Sequence, residues 1–203
     1  MAALNSYPEA SLISCGTRVV GPGGEHLHDW VSNELDRTQY LLTLDLAKLR
    51  GPFGHGSVLF RRAQYEKVGG YRQEFYFGQD VDLWIRLAEV GKFLMLPEIL
   101  FQVEFAPNSI SGHHRSNQIS LAKLILECAR LRRAGASEAE RLAQAGMILP
   151  SAGARSVSDV AAALYFVGTC LSKRGDRRSR QYYWKALRAN PLHIRSAIRL
   201  LLG

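Results

Sequence analysis

The stretch Gly78-Gln79-Asp80-Val81-Asp82-Leu83-Trp84-Ile85-Arg86-Leu87 decides how the rest of the chain is read. Two carboxylates stand two residues apart where an apolar-periodic run begins. Leu83, Trp84, Leu87 and Ala88 recur at helical spacing, with Gly91 as the expected C-cap. That spacing puts Asp80 at or near the N-cap and Asp82 in the first turn. Acids there complement the helix macrodipole and cap free N–H groups. The same pair is also suited to ligating a hard cation, given further oxygen ligands, or to moving a proton. Carboxylate chemistry alone does not choose among these.

Outward from that helix, short blocks follow one another. Upstream are Gly54-His55-Gly56-Ser57-Val58-Leu59-Phe60-Arg61-Arg62 and Val68-Gly69-Gly70-Tyr71. Downstream are Leu96-Pro97-Glu98-Ile99-Leu100 and Asn108-Ser109-Ile110-Ser111. Residues 11–20 read as one or two short strands, closed by the turn Gly21-Pro22-Gly23-Gly24. Tyr40 to Leu49 reads as a core-packing helix ended by Gly51-Pro52. Ser57 to Phe60 reads as a strand, and Arg62 to Val68 as a short helix stopped by Gly69-Gly70. A strand pair, Phe93–Leu96 and Ile99–Glu104, follows the Asp80 helix. Strands alternating with helices give α/β character.

After Ser111 the pattern becomes wholly helical. Ile119, Ala122, Leu124, Ile125, Cys128 and Leu131 describe one amphipathic helix. Ser137-Glu138-Ala139-Glu140 is a capping-box signal for a second, and Ser156-Val157-Ser158-Asp159 opens a third. Helices over about Arg177–Ala189 and His193–Leu201 are separated by Asn190-Pro191. The stretch from Ala161 to Pro191 resembles one loose tetratricopeptide unit, which cannot bury its own faces alone.

Bulk properties narrow the class. The 203 residues, 47% hydrophobic and 22% charged, can bury a core, which argues against disorder. Met1 to Ala10 lacks a signal-peptide pattern, and no apolar run approaches the ~18 residues of a membrane span. Cys15, Cys128 and Cys170 have neither zinc-finger nor redox spacing and read as buried thiols of a reducing compartment. Residues 1–111 carry 10 Lys and Arg against 13 Asp and Glu, whereas residues 112–203 carry 16 against 5. The basic tail favours an anionic partner: a lipid surface, nucleic acid or an acidic protein. No recognition helix, zinc site or aromatic sheet motif supports nucleic acid. The expected location is cytoplasmic, with peripheral contact at the inner face of the membrane through the tail.

Taken in order and spacing, the blocks between Gly54 and Ser111 resemble the C-terminal half of a family 2 glycosyltransferase domain of GT-A fold. The resemblance covers about residues 5–112. It implies a partial GT-A domain at 1–112 and a basic helical extension at 113–203. It further implies a nucleotide-sugar donor, a saccharide or lipid-linked acceptor, and a divalent cation, Mg or Mn. By resemblance, Asp80 is the general base of an inverting transfer, taking the proton of the acceptor hydroxyl. Asp82 and Trp84 support it, Gly69 and Gly70 bring backbone near substrate, and His55 contacts it; the competing readings are core packing for Trp84, capping for Asp82, a plain helix stop for the glycines and a hydrogen-bonded place beneath the loop for His55.

Two departures from the family pattern carry expectations of their own. The half that holds the nucleotide, with the Asp-x-Asp motif that places the metal, is not among the matched blocks. Glu104 and Ala106 stand where the family commonly has a basic residue and a histidine. Both imply weak or absent transfer by the chain alone, and a truncated sheet implies self-association. The rival expectation is a non-enzymatic interaction module: a degenerate transferase half whose basic tail binds an acidic partner or a membrane.

Overall fold

The computed structural model describes residues 2–106, 115–150 and 157–202. The motif residues Asn108, Ser109, Ile110 and Ser111, the nearby His113 and His114, and the helix-opening Ser156 lie outside them.

After a short helix α1 (Ala2–Ser6), the first strand is β1 (Ala10–Val20), one uninterrupted strand where one or two were expected. All of it but Arg18 is buried, including Ser11, Ser14 and Thr17. A turn with Gly24 at φ 75° leads into β2 (His26–Trp30). Helix α2 (Thr38–Leu42) is followed by a 3-10 turn at His55–Ser57, strand β3 (Leu59–Phe60) and helix α3 (Arg62–Lys67). Helix α4 (Gln79–Ala88) precedes strand β4 (Lys92–Glu104). The rest is helical: α5 (Arg115–Arg133), α6 (Ala139–Gly146), α7 (Val157–Lys173), α8 (Ser179–Ala189) and α9 (Ile194–Leu202). The fold is mixed α/β, with a small mixed sheet and several C-terminal helices.

Strand β1 pairs with each of the other three strands. Against β3 it is antiparallel, with Leu12 opposite Phe60 and Ile13 opposite Leu59. Along β4 it runs parallel: the Lys92 N–H donates to the Glu9 carbonyl at one end, and the Phe105 N–H to the Val20 carbonyl just past the other. Its side chains are buried on both faces, which is why the strand shows no inside–outside alternation.

Contacts divide the chain into two units. The first comprises residues 1–17, 31–101 and 114–151, and the second residues 18–30, 102–113 and 152–203. In the first, α4 packs on α2 and α5, and α5 on α6. Its core holds Leu12, Leu41, Phe75, Leu83, Ile85, Leu87, Phe93, Met95, Leu121 and Ile125. The guanidinium of Arg61 gathers the carbonyls of Leu4, Tyr7 and Ala10, tying the N-terminal turn to the sheet. In the second unit, Val19 and Leu27 of the strands pack with Val167, Leu171 and Tyr182 of α7 and α8.

Several expectations need correction. The helix expected over Tyr40–Leu49 covers only Thr38–Leu42. Thr43 turns extended (ψ 143°), and Asp45 opens a separate turn by accepting from the Ala47 N–H (2.9 Å). The strand pair is one strand, β4, running through Pro97. Among the described residues its named strand partner is β1, and the other side carries only the isolated Asp36–Leu94 bridge, so a residue without an N–H can be absorbed there. Gly91 is no left-handed cap: α4 ends in a right-handed Glu89. A Cβ on Gly91 would lie 2.8 Å from the Ser11 Cβ, so glycine is required there by close approach to β1. Helix α6 starts where the capping-box signal put it, but Ser137 accepts from the Ala139 N–H (3.3 Å), and Glu140, the acid that would close the box, accepts from Arg141 and Gln144 instead. All three cysteines are free thiols; Cys15 and Cys128 are buried and Cys170 half-buried. Burial pushes the Cys128 thiol up to about 11.

Candidate functional site

Asp80 and Asp82 both fall in the first turn of α4, whose N-cap is Gly78. Two positions apart on a helix, they point to different sides, and their surroundings differ accordingly. Asp82 is sealed, its side chain 1% exposed, and pairs with Arg86 one turn on, itself 3% exposed. Arg86 donates to Asp82 Oδ2 through Nη2 (2.5 Å) and Nε (3.0 Å). Its Nη1 donates to the Val68 carbonyl (2.6 Å). The pair therefore fixes the backbone immediately before Gly69 and Gly70, which take φ 81° and 67°. The two glycines end α3 in the left-handed region, where only glycine is comfortable.

Around this pair runs an ion network. Arg72 lies 3.5 Å from Asp82 and donates to Glu138 (2.7 and 3.2 Å). Arg132 links Glu138 (2.7 Å) to Glu89 (2.6 Å), and Arg133 also reaches Glu89 (2.8 Å). Burial alone would raise the Glu138 carboxyl, but the Arg72 and Arg132 guanidinium groups more than offset it and hold it below its ordinary value. The network braces α4, α5 and α6 beneath the site.

Asp80 is different. It is partly open, 27% exposed, and no Lys or Arg pairs with it among the described residues. The Val81 N–H donates to its Oδ1 (2.8 Å), fixing the carboxylate. Its Oδ2 lies 3.8 Å from Nδ1 of His55, whose ring is 56% exposed. The His55 ring stacks on Tyr71 (centroids 5.8 Å apart, 21° between planes), and its Nε2 is 3.1 Å from the Tyr71 hydroxyl. Burial, and then the Asp80 charge, push the Tyr71 phenol above its ordinary range. Tyr65 meets Tyr71 edge-on at 5.9 Å.

The residues singled out from sequence thus separate. Asp80 and His55 come together at the surface, Gly69 and Gly70 form the turn leading into Tyr71, and Asp82 sits below in the ion network. Trp84 is 5% exposed and part of the core, its indole 6.5 Å from the His55 ring. Sequence reasoning did not single out Tyr71, Arg72 or Arg86 as members of the site. Arg86 had a signal, since an arginine four residues after Asp82 is a helix ion-pair spacing. Tyr71 had only its place after the glycine turn. Among the described residues no three His, Cys, Asp or Glu side chains converge as ligands for a metal. With Asp82 committed to Arg86, the described residues leave Asp80 as the open carboxylate here, short of the oxygen ligands a hard cation takes.

The amylovoran biosynthesis glycosyltransferase AmsE of Erwinia amylovora is 28% identical to this chain over 74 residues, which is 36% of the chain and 27% of the relative. The similarity is distant and partial, to a glycosyltransferase of polysaccharide biosynthesis. The chain thus spans well under half the length of the relative it matches. No family model matches the chain, and no solved structure matches it significantly. No helix among the described residues is long and apolar enough to cross a membrane.

Proposed function

We propose that residues 5–112 are part of a GT-A type nucleotide-sugar transferase and carry its acceptor side, with Asp80 as the general base of an inverting transfer. The observation that carries this reading is the contrast between the two acids. Asp82 is consumed by Arg86, whereas Asp80 presents a fixed, partly exposed carboxylate with no Lys or Arg partner among the described residues. A general base must be reachable by the hydroxyl it deprotonates, to within about 3 Å. The aromatic surface of His55 and Tyr71 beside it suits the apolar face of a sugar ring. The partial similarity to a polysaccharide-building glycosyltransferase points the same way.

In the transfer, the acceptor oxygen forms a bond to the anomeric carbon while the bond from that carbon to the diphosphate oxygen breaks. The hydroxyl proton passes to Asp80 and the nucleoside diphosphate leaves. Arg86 and Asp82 hold the Gly69-Gly70 turn, and with it Tyr71, in place. The acceptor is a saccharide, free or lipid-linked.

In an enzyme completed by its donor-binding half, Asp80→Asn should lower kcat for transfer by about 100-fold or more, with the acceptor KM little changed. Saccharide acceptors should shift the His55 ring resonances in wild type and variant alike. Undiminished turnover in the variant, or a His55 ring indifferent to every saccharide tried, overturns the reading. Calorimetric titration with UDP, GDP and dTDP, with and without Mn²⁺, measures separately whether this chain holds a donor.

A further inference from the structure

The second unit contains a cavity of about 310 Å³ among α7, α8 and α9 that the proposed transfer does not use. Its polar lining is Arg180 and Arg199 with the hydroxyl side chains Ser172 and Ser179. Tyr183 completes it. That side chain is 2% exposed, and its buried hydroxyl has no hydrogen-bond partner in the protein. A buried hydroxyl left unpaired is costly, so a ligand oxygen is the partner it lacks. No carboxylate pairs with either arginine among the described residues: Arg199 shares a hydrogen bond with the Tyr165 hydroxyl, and Arg180 makes one long bond to the Leu200 carbonyl (3.4 Å). Two uncompensated guanidinium groups, two hydroxyls and an orphan phenol are the chemistry of a phosphate site.

The remaining lining is apolar, Ile198 and Leu202, and these belong also to the outer face of α9. Ser196 marks the buried side of that helix. Opposite it, Ile194, Ile198, Leu201 and Leu202 form a strip exposed to as much as 85%, continued by Leu192 in the preceding turn. Trp184 is exposed on α8. From Ser179 to Leu202 the sequence has five cations, Arg180, Lys185, Arg188, Arg195 and Arg199, and no carboxylate. An apolar strip on a cationic helix, bordering a phosphate-type cavity, matches the interface of an anionic bilayer.

We propose that α8 and α9 dock on an anionic phospholipid surface, with a lipid phosphate in the Arg180–Arg199–Tyr183 cavity and the α9 strip among the acyl chains. The test is co-sedimentation of the full chain with vesicles of phosphatidylcholine alone or mixed with phosphatidylglycerol. Binding is expected only to the mixed vesicles, falling as salt is raised. Tyr183→Phe deletes a hydroxyl that bonds to nothing in the protein, so folding should survive while affinity falls roughly tenfold, the loss of one hydrogen bond to a charged group. Leu201→Ser with Leu202→Ser should abolish binding and leave the helical circular dichroism intact. Equal binding to neutral vesicles, full binding by folded Tyr183→Phe, self-association through α9 without vesicle binding, or saturation by soluble glycerol phosphate alone would each overturn the proposal.

Discussion

Asp82→Ala should be among the most destabilising single substitutions in the first unit, and the structure sets its size. Both partners of the Asp82–Arg86 pair are out of water, at 1% and 3% side-chain exposure. Removing the carboxylate leaves a buried guanidinium with the Val68 carbonyl as its remaining partner. Breaking a pair of this kind costs about 3–5 kcal/mol, because the orphaned charge cannot return to solvent. Replacing the whole pair, as Asp82→Leu with Arg86→Met, should recover most of that loss, since well-packed apolar groups match a buried ion pair. The double variant should therefore be more stable than the two single effects predict, by about 2 kcal/mol or more. Urea unfolding followed through the buried Trp84, with Trp30 and Trp184 replaced by Phe, reports this unit alone. A single-variant loss below about 1 kcal/mol, or strict additivity, would refute the claim that Asp82 exists to hold Arg86. Faster amide exchange at Gly69 and Gly70 in Asp82→Ala should accompany the loss, because Arg86 is what fastens Val68.

Gly91→Ala should cost about 1–3 kcal/mol, the range for overpacking, because its Cβ would meet the Ser11 Cβ at 2.8 Å and backbone atoms at 3.0 and 3.1 Å; a melting temperature equal to wild type would show that β1 gives way easily. The Glu138 carboxyl is held below its ordinary value in the folded chain, so its contribution is present above the unfolded value of 4.5 and is lost as pH falls through the folded one. Glu138→Gln should then be less stable than wild type at neutral pH and converge with it in acid; parallel stability curves down to the acid limb would contradict this.

What the sequence revealed, and what it hid, follows from the range of the interactions. Helix α4 was legible because Leu83, Trp84, Leu87 and Ala88 repeat at a local period, and all four are buried. The glycine stop of α3 was legible because a left-handed turn demands a residue type. Gly91 was misread because its constraint comes from Ser11, eighty residues away, and no local rule carries that distance. The helix over Tyr40–Leu49 failed because leucines at helical spacing compete with Thr43 and Asp45, whose side chains favour turns. At the candidate site, Asp80 stood out by its position at a helix start. Its neighbourhood did not: the His55 and Tyr71 rings meet across sixteen residues, and His55 reaches Asp80 across twenty-five.

The Arg61 clamp bears on how the chain comes to be folded. Its carbonyl partners lie 51 to 57 residues upstream, and Ser11 bonds to Lys92 across 81. Among the described residues β1 is the strand with which all the others pair, and it gains them in turn: β2 follows directly, whereas β3 and β4 come only at residues 59 and 92. During synthesis its pairing with β4 must wait until residue 92 has emerged, and closing so long a loop is slow. Its buried Ser11, Ser14 and Thr17 make that waiting strand less sticky than a run of valines and isoleucines would be.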